Sequence, residues 1–243
     1  MGVTRPRLDG VTTLLLARHG LTELTGPVLA GWTPGVHLSE AGAAQAKALG
    51  ERLAGLDLDA IVSSPLERCQ ETAQAVAAGR AGIRVETDER FGECRYGEWT
   101  GRPLKELAAD PLWPVVQSHP SAVTFPGGES LTAVQHRAIT AVREWNARLG
   151  AEGVYLVCSH GDVIKAIVAD ALGLHLDQFQ RIIADPASVT AIRYTPLRPF
   201  VLRLNDIGGD VAGLRPPPAA EHKDGGENPT GSDAAVGGGA GST

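Results

Sequence analysis

Short apolar runs alternate along this chain with stretches of helical period. Thr12 to Ala17 reads as one apolar run, the form of a strand covered on both faces. Ala60 to Val62, Val154 to Cys158, Val189 to Tyr194 and Phe200 to Leu204 read as further strands. Ser39 is placed to cap a helix running to Leu53, and Ser130 to cap a longer one ending at Leu149. Leu66 to Ala78 and about Asp162 to Leu172 carry helical patterns of their own. Strands alternating with helices predict an α/β protein with a largely parallel sheet.

The pattern is absent at both ends. From about Gly208 the sequence turns to Gly, Pro, Ala and Ser, with Pro216-Pro217-Pro218 and Gly237-Gly238-Gly239. Such a segment buries too little apolar surface to offset its ordering entropy, so 208–243 is expected to be a disordered tail. Removing the chain beyond Asp210 is then expected to leave activity and melting temperature nearly unchanged. Residues 1–10 are expected to be a flexible N-terminus without the apolar core of a signal peptide. One catalytic domain is expected over 11–207.

Composition narrows the function. With 22 Lys+Arg against 28 Asp+Glu the formal charge is -6, which opposes broad adhesion to nucleic acid or an anionic membrane. No stretch approaches the ~20 apolar residues of a membrane span. Cys69, Cys94 and Cys158 are odd in number and form no CxxC pair, so they suggest neither a disulfide framework nor a zinc site. The expected location is cytoplasmic. The residues leave the oligomeric state open, and a homodimer is compatible with them.

The candidate chemistry collects where apolar runs stop. Leu14-Leu15-Leu16-Ala17 ends on Arg18-His19-Gly20, and Tyr155-Leu156-Val157-Cys158 ends on Ser159-His160-Gly161-Asp162. Open α/β sheets bind ligands at the carboxyl ends of their strands. Gly20 is expected to let the backbone turn and approach a ligand. A helix N-terminus beside His160 would present backbone N–H groups and a favourable dipole to an anion. Between the two lies Ser63-Ser64-Pro65-Leu66-Glu67-Arg68, read as a strand end and a Pro-started helix with an arginine in its first turn. Two arginines and two histidines could then surround one phosphate, each guanidinium offering a planar fork of donors. Taken singly, each signal also fits a structural role: Arg68 as a surface partner of Glu71, Glu93 as a solvated carboxylate, most histidines as incidental. Trp32, Trp99 and Trp113 fit core or pocket wall, and His37 is the other histidine expected nearest the pocket.

The ordered set resembles the histidine phosphatase superfamily, which includes phosphoglycerate mutases and small-molecule phosphatases. The resemblance runs from about Leu14 to Leu204. It rests on Arg18-His19-Gly20 with Thr22, Leu38-Ser39-Glu40-Ala41-Gly42 with Gln45-Ala46, and Ser63 to Arg68 with Glu71-Thr72-Ala73. It continues through Glu93 to Gly101, Pro126-Gly127-Gly128-Glu129-Ser130 and Ser159-His160-Gly161. It implies a three-layer α/β sandwich with a mostly parallel central sheet flanked by helices.

By the same resemblance His19 matches the nucleophile that becomes phosphorylated, and Glu93 the acid that protonates the leaving oxygen and then activates water. Arg18, Arg68 and His160 match the residues holding the phosphoryl oxygens, with Thr22 and Gly161 as further substrate contacts. Many relatives carry Asn where this chain has Thr25. No metal, nucleotide or other cofactor is implied, and the partner is a small phosphorylated metabolite.

Hydrolysis of a phosphate monoester is the expected activity, with phosphomutase chemistry the alternative, because both pass through phosphohistidine. The segment from Arg102 to Gly128 reads as a pocket lid in which Lys105 is the only cation after Arg102. That is too few for a bisphosphorylated cofactor. Metal-dependent hydrolysis through His19, His160, Glu93 and Asp162 is disfavoured by the adjacent arginines, which repel a cation. A catalytically silent phospho-ligand module would have lost His19 or Glu93.

Overall fold

The structure is a computed structural model that describes residues 10–209 and 236–239. The expected N-terminal segment, apart from Gly10, and most of the expected tail lie outside the described residues. Six strands form one sheet: β1 (Thr12–Arg18), β2 (Ala60–Ser63), β3 (Val85–Thr87), β4 (Val154–Ser159), β5 (Val189–Tyr194) and β6 (Pro199–Asp206), in the order β3-β2-β4-β1-β5-β6. β1 to β4 run parallel, and β5 and β6 join antiparallel at one edge. β3 carries no apolar alternation, and the sequence pattern did not predict it.

Alternation along β1 builds the layers. Leu14 and Leu16 face a core shared with α5 (Leu131–Leu149) and α6 (Gly161–Ala171), through Val134, Ala138, Ile164 and Val168. Leu15 and Ala17 face the opposite core, against Leu49 of α1 (Glu40–Leu53) and Cys69, Ala73 and Val76 of α2 (Glu67–Ala77). Successive strand side chains point to opposite faces, so a strand buried on both sides must be apolar throughout. The result is the expected three-layer sandwich.

Both serine caps form: Ser39 Oγ accepts from Gly42 N at 3.1 Å and Ser130 Oγ from Ala133 N at 3.1 Å. The Pro-started helix is a correction. Leu66 is the N-cap of α2, so Pro65 lies before the helix and shapes the approach to it.

Gly20 also has a different reason from the expected one. A Cβ there would lie 2.5 Å from Gly42 O, and a Cβ on Gly42 would lie 1.9 Å from Leu21 O. The two glycines let the end of β1 and the start of α1 touch backbone to backbone.

The Arg102 to Gly128 segment contains two short helices, α3 (Leu104–Leu107) and α4 (Trp113–Ser118), and is anchored in the core. Trp113 stacks on Trp99 with ring centroids 6.2 Å apart, and Phe125 meets Trp99 edge-on at 5.3 Å. It is packed wall rather than a loose cover.

Candidate active site

Register alone brings the distant motifs together. Arg18 pairs with Ser159 across β1 and β4, and Ser63 with Cys158 across β2 and β4, so His19, Ser64 and His160 emerge side by side at one sheet edge. The His19 and His160 ring centroids are 5.2 Å apart. Arg68, in the first turn of α2, reaches both imidazoles: its Nε lies 3.3 Å from His19 Nε2 and its Nη2 3.3 Å from His160 Nδ1. Glu93 Oε2 is 3.9 Å from His160 Nδ1.

Donor rules fix the tautomers. His19 Nδ1 lies 2.7 Å from Gly20 O, and a carbonyl only accepts, so Nδ1 carries the proton. Nε2 then keeps its lone pair, which the Arg68 N–H approaches. Arg68 also donates toward His160 Nδ1, so the His160 proton sits on Nε2 and is donated to Ser64 Oγ at 2.7 Å. Burial, then the charges of Arg68 and Arg18, hold His19 well below its ordinary pKa. Burial and then Arg68 do the same to His160. A neutral His160 makes the 3.9 Å approach of Glu93 a contact rather than an ion pair.

Glu93 is buried and its carboxyl is pushed up to about 7, first by desolvation and then by the negative charge of Asp162. Its loop is held from three sides. Trp32 Nε1 donates to Glu93 O at 2.6 Å, Arg137 Nη2 donates to the same oxygen at 3.0 Å, and Cys94 N donates to Glu93 Oε1 at 2.9 Å. Arg137 is itself gripped by Glu129 at 2.7 Å. The Pro126-Gly127-Gly128-Glu129-Ser130 motif thereby supports Glu93 from behind. A Cβ on Gly97, at φ 56°, would lie 2.0 Å from Pro126 O, so this crossing of loops requires glycine.

The pocket above these residues is lined by Arg18, His19, Thr22, Arg68 and Glu93, with Tyr96 beside them. Leu24, Val28, Leu29, Ala30 and Leu104 supply an apolar wall. His160 and Gly161 lie behind the lining, with His160 in contact through Arg68 and Glu93. Thr22 N donates to Thr25 Oγ1 at 3.0 Å, and the two hydroxyls are 2.9 Å apart. His37 is not at the pocket: it pairs with Glu71 at 2.5 Å on the exposed face of α2. That pairing also takes Glu71 away from Arg68, whose side chain is buried. Among the described residues Arg68 Nη1 is buried without a hydrogen-bond partner.

Sequence reasoning did not find Arg137 or Trp32 as support for Glu93, nor Asp162 as the charge that helps raise its carboxyl. The spacing of Glu129 to Arg137 was the available signal for the first; Trp32 offered only its residue type. It also placed the whole 208–243 stretch outside the fold. Residues 236–239 are a correction: Val236 is 2% exposed and, with Gly237 and Gly239, lines the pocket. One apolar anchor and glycines that permit close approach are enough to dock so short a segment.

A mostly parallel α/β sheet whose strand ends gather two histidines, two arginines and a carboxyl at and just behind a buried pocket defines a phosphoryl-transfer class of site. Residues 14–207 match the family model of the histidine phosphatase superfamily (branch 1), and the chain belongs to that family of phosphatases and phosphomutases. A phosphoserine phosphatase 1 of Hydrogenobacter thermophilus is 33% identical over 200 residues, covering 79% of this chain and 91% of that protein. A 2,3-bisphosphoglycerate-dependent phosphoglycerate mutase of Brucella melitensis is 34% identical over 183 residues, covering 68% and 84%. Among solved structures, Bacillus stearothermophilus YhfR superposes with TM-score 0.73 at 32% identity, covering 81% of this chain and 98% of its own. A mycobacterial glucosyl-3-phosphoglycerate phosphatase superposes with TM-score 0.72 at 29% identity, covering 81% and 99%. Among the described residues no helix is long and apolar enough to cross a membrane.

Proposed function

We propose that the protein is a phosphatase that hydrolyses a small phosphate monoester through a phosphohistidine on His19, without a metal. The observation that carries this reading is the orientation of His19: Nδ1–H is tied to Gly20 O, which leaves the Nε2 lone pair facing the pocket beside Arg68. Nε2 attacks phosphorus in line with the leaving oxygen, and the P–O bond to the leaving group breaks as the N–P bond forms. Arg68 supplies donors to the phosphoryl oxygens, and its buried Nη1 gains the acceptor it lacks. Arg18 contributes a second guanidinium. His160 lies behind Arg68 and accepts from its Nη2 through Nδ1, which steadies the guanidinium that meets the phosphoryl group, and the N-terminus of α6 at Gly161 sets its positive end behind them.

Glu93, with its carboxyl pushed up to about 7, is protonated often enough near neutrality to donate to the leaving oxygen. The carboxylate then takes a proton from water as that water attacks phosphohistidine, which restores both groups. Two features favour hydrolysis over transfer to a second hydroxyl. The charged side chains lining the pocket are those already assigned, and Lys105 is exposed and outside the lining. A bisphosphorylated cofactor would leave its second phosphate against Leu24, Val28, Leu29 and Leu104.

The phosphomutase alternative keeps the same phosphohistidine and gains weight from a mutase relative as similar as the phosphatase relative. Purified protein with EDTA should release phosphate from para-nitrophenyl phosphate and from a panel of phosphorylated metabolites. A metal requirement would sink the mechanism. Conversion of 3-phosphoglycerate to 2-phosphoglycerate faster than phosphate release, with a bisphosphoglycerate primer, would replace hydrolysis by the mutase reading.

A further inference from the structure

The pocket already holds an occupant from the chain itself. Val236 is buried among the wall residues, and Gly237 and Gly239 reach the phosphate-binding end. Arg18 Nη2 donates to Gly239 O at 2.6 Å and toward Gly237 O at 3.4 Å. Gly237 N donates to Asp162 Oδ2 at 3.2 Å. Asp162 is itself buried and accepts from Tyr96 Oη at 2.8 Å and from Lys165 Nζ at 3.4 Å. The catalytic scheme gives this aspartate no contact with substrate, yet it offers a fixed acceptor to the segment.

The fit selects this sequence. Gly237 has φ 71°, and a Cβ there would lie 3.0 Å from Leu29 Cδ1, so a side chain is opposed by both the backbone conformation and the wall. An apolar side chain anchors one end and two glycine carbonyls face a guanidinium at the other. With the segment in place the cavity is about 30 Å³. That is room for one or two waters and not for an organic phosphate.

We propose that Val236–Gly239 is an autoinhibitory plug that must leave Arg18 before a phosphate monoester can bind. The proposal rests on the reading of Arg18 as a phosphate ligand. Glycine carbonyls imitate the phosphoryl oxygens as acceptors but carry only partial charge, so a dianionic phosphate forms the stronger pair and displaces them. Being tethered, the segment competes intramolecularly, and apparent substrate affinity falls by the fraction of molecules left open. The expectation that the chain beyond Asp210 does not affect activity is replaced by one in which it weakens substrate binding.

The test uses the full chain and the variants Val236→Asp and Gly237→Val, neither of which alters a residue assigned to catalysis. Calorimetric titration with inorganic phosphate should give an affinity about tenfold tighter in both variants than in the parent, the change expected if about one molecule in ten is open. With para-nitrophenyl phosphate, KM should fall by the same factor with kcat unchanged. Hydrogen exchange of the Gly237 amide should be protected in the parent, and phosphate should release it. Equal or weaker phosphate binding in both variants overturns the plug, as does Gly237 exchange that phosphate leaves unchanged. Tighter phosphate binding in variants that hydrolyse nothing would uphold the plug and refute the phosphatase reading. Hydrolysis with identical KM and phosphate affinity throughout would do the reverse.

Discussion

The floor and the mouth of the pocket are built on different terms. Arg18, His19, Arg68, Glu93 and His160 form a buried polar floor whose members are tied to strand ends, to a helix first turn and to each other. The mouth is Leu24, Val28, Leu29 and Leu104 with the 236–239 segment laid across it, and its contacts are mostly apolar. On the proposed mechanism every polar group of the floor has a chemical task, so a single substitution should abolish or cripple turnover. The same mechanism gives the mouth residues no contact with the reacting atoms, so substitution there should alter what binds and how tightly.

The sharpest test of that division is His19→Ala. Removing the nucleophile should cost about 10⁴-fold or more in kcat and eliminate acid-labile phosphate on the protein after mixing with substrate. A variant that keeps turnover within a few-fold would remove the floor from the chemistry. Glu93→Gln should cost about 10²- to 10⁴-fold through loss of the proton donor.

The pH dependence belongs to the same carboxyl. On the proposed mechanism protonated Glu93 is the acid, so kcat/KM should fall as pH rises through about 7, and Glu93→Gln should lose that limb. The sign for stability follows from a folded pKa above the ordinary 4.5. Protonation stabilises the folded state below the unfolded pKa, and that stabilisation is lost as pH rises through about 7. Glu93→Gln should therefore melt higher than the parent at pH 8, with the gap closing at pH 5. Thermal melts at the two values decide it.

Arg68→Ala should lower kcat/KM about 10²- to 10³-fold. Lysine should not rescue it, since an ammonium cannot span His19 Nε2, His160 Nδ1 and Gly31 O as the guanidinium fork does. Rescue by lysine would mean that charge alone matters and that the fork geometry is incidental.

The same division explains what the sequence disclosed. The floor was legible because strand-to-strand chemistry repeats a form, an apolar run ending on His-Gly, and because Arg68 follows a strand end at fixed offset. The doubly buried β1 and the serine-capped α1 and α5 were legible from periodicity and cap chemistry. β3 was not, because three residues at an edge need no apolar pattern. Pro65 suggested the wrong helix start because a proline before a helix and a proline at its first position look alike in a linear sequence. Arg137's support of Glu93 was signalled only by its spacing from Glu129, and that of Trp32 depends on a loop crossing that no local pattern encodes. Val236 was hidden in a Gly-rich stretch whose composition says nothing about docking onto another core.

Thr25 lies on the boundary between the two regions, and Thr25→Asn should have the smallest effect. Its hydroxyl accepts from Thr22 N at 3.0 Å and lies 2.9 Å from Thr22 Oγ1, which holds the loop where the floor meets the apolar wall. An asparagine carbonyl can accept the same N–H, and its NH₂ group is then available to a phosphoryl oxygen. One extra hydrogen bond to a group already held by two guanidinium forks contributes little, on the order of 1 kcal/mol or less. KM for para-nitrophenyl phosphate should fall by about fivefold or less, with kcat unchanged. A large loss of kcat would place Thr25 among the floor residues, and a rise in KM would show that the threonine pair itself shapes the mouth.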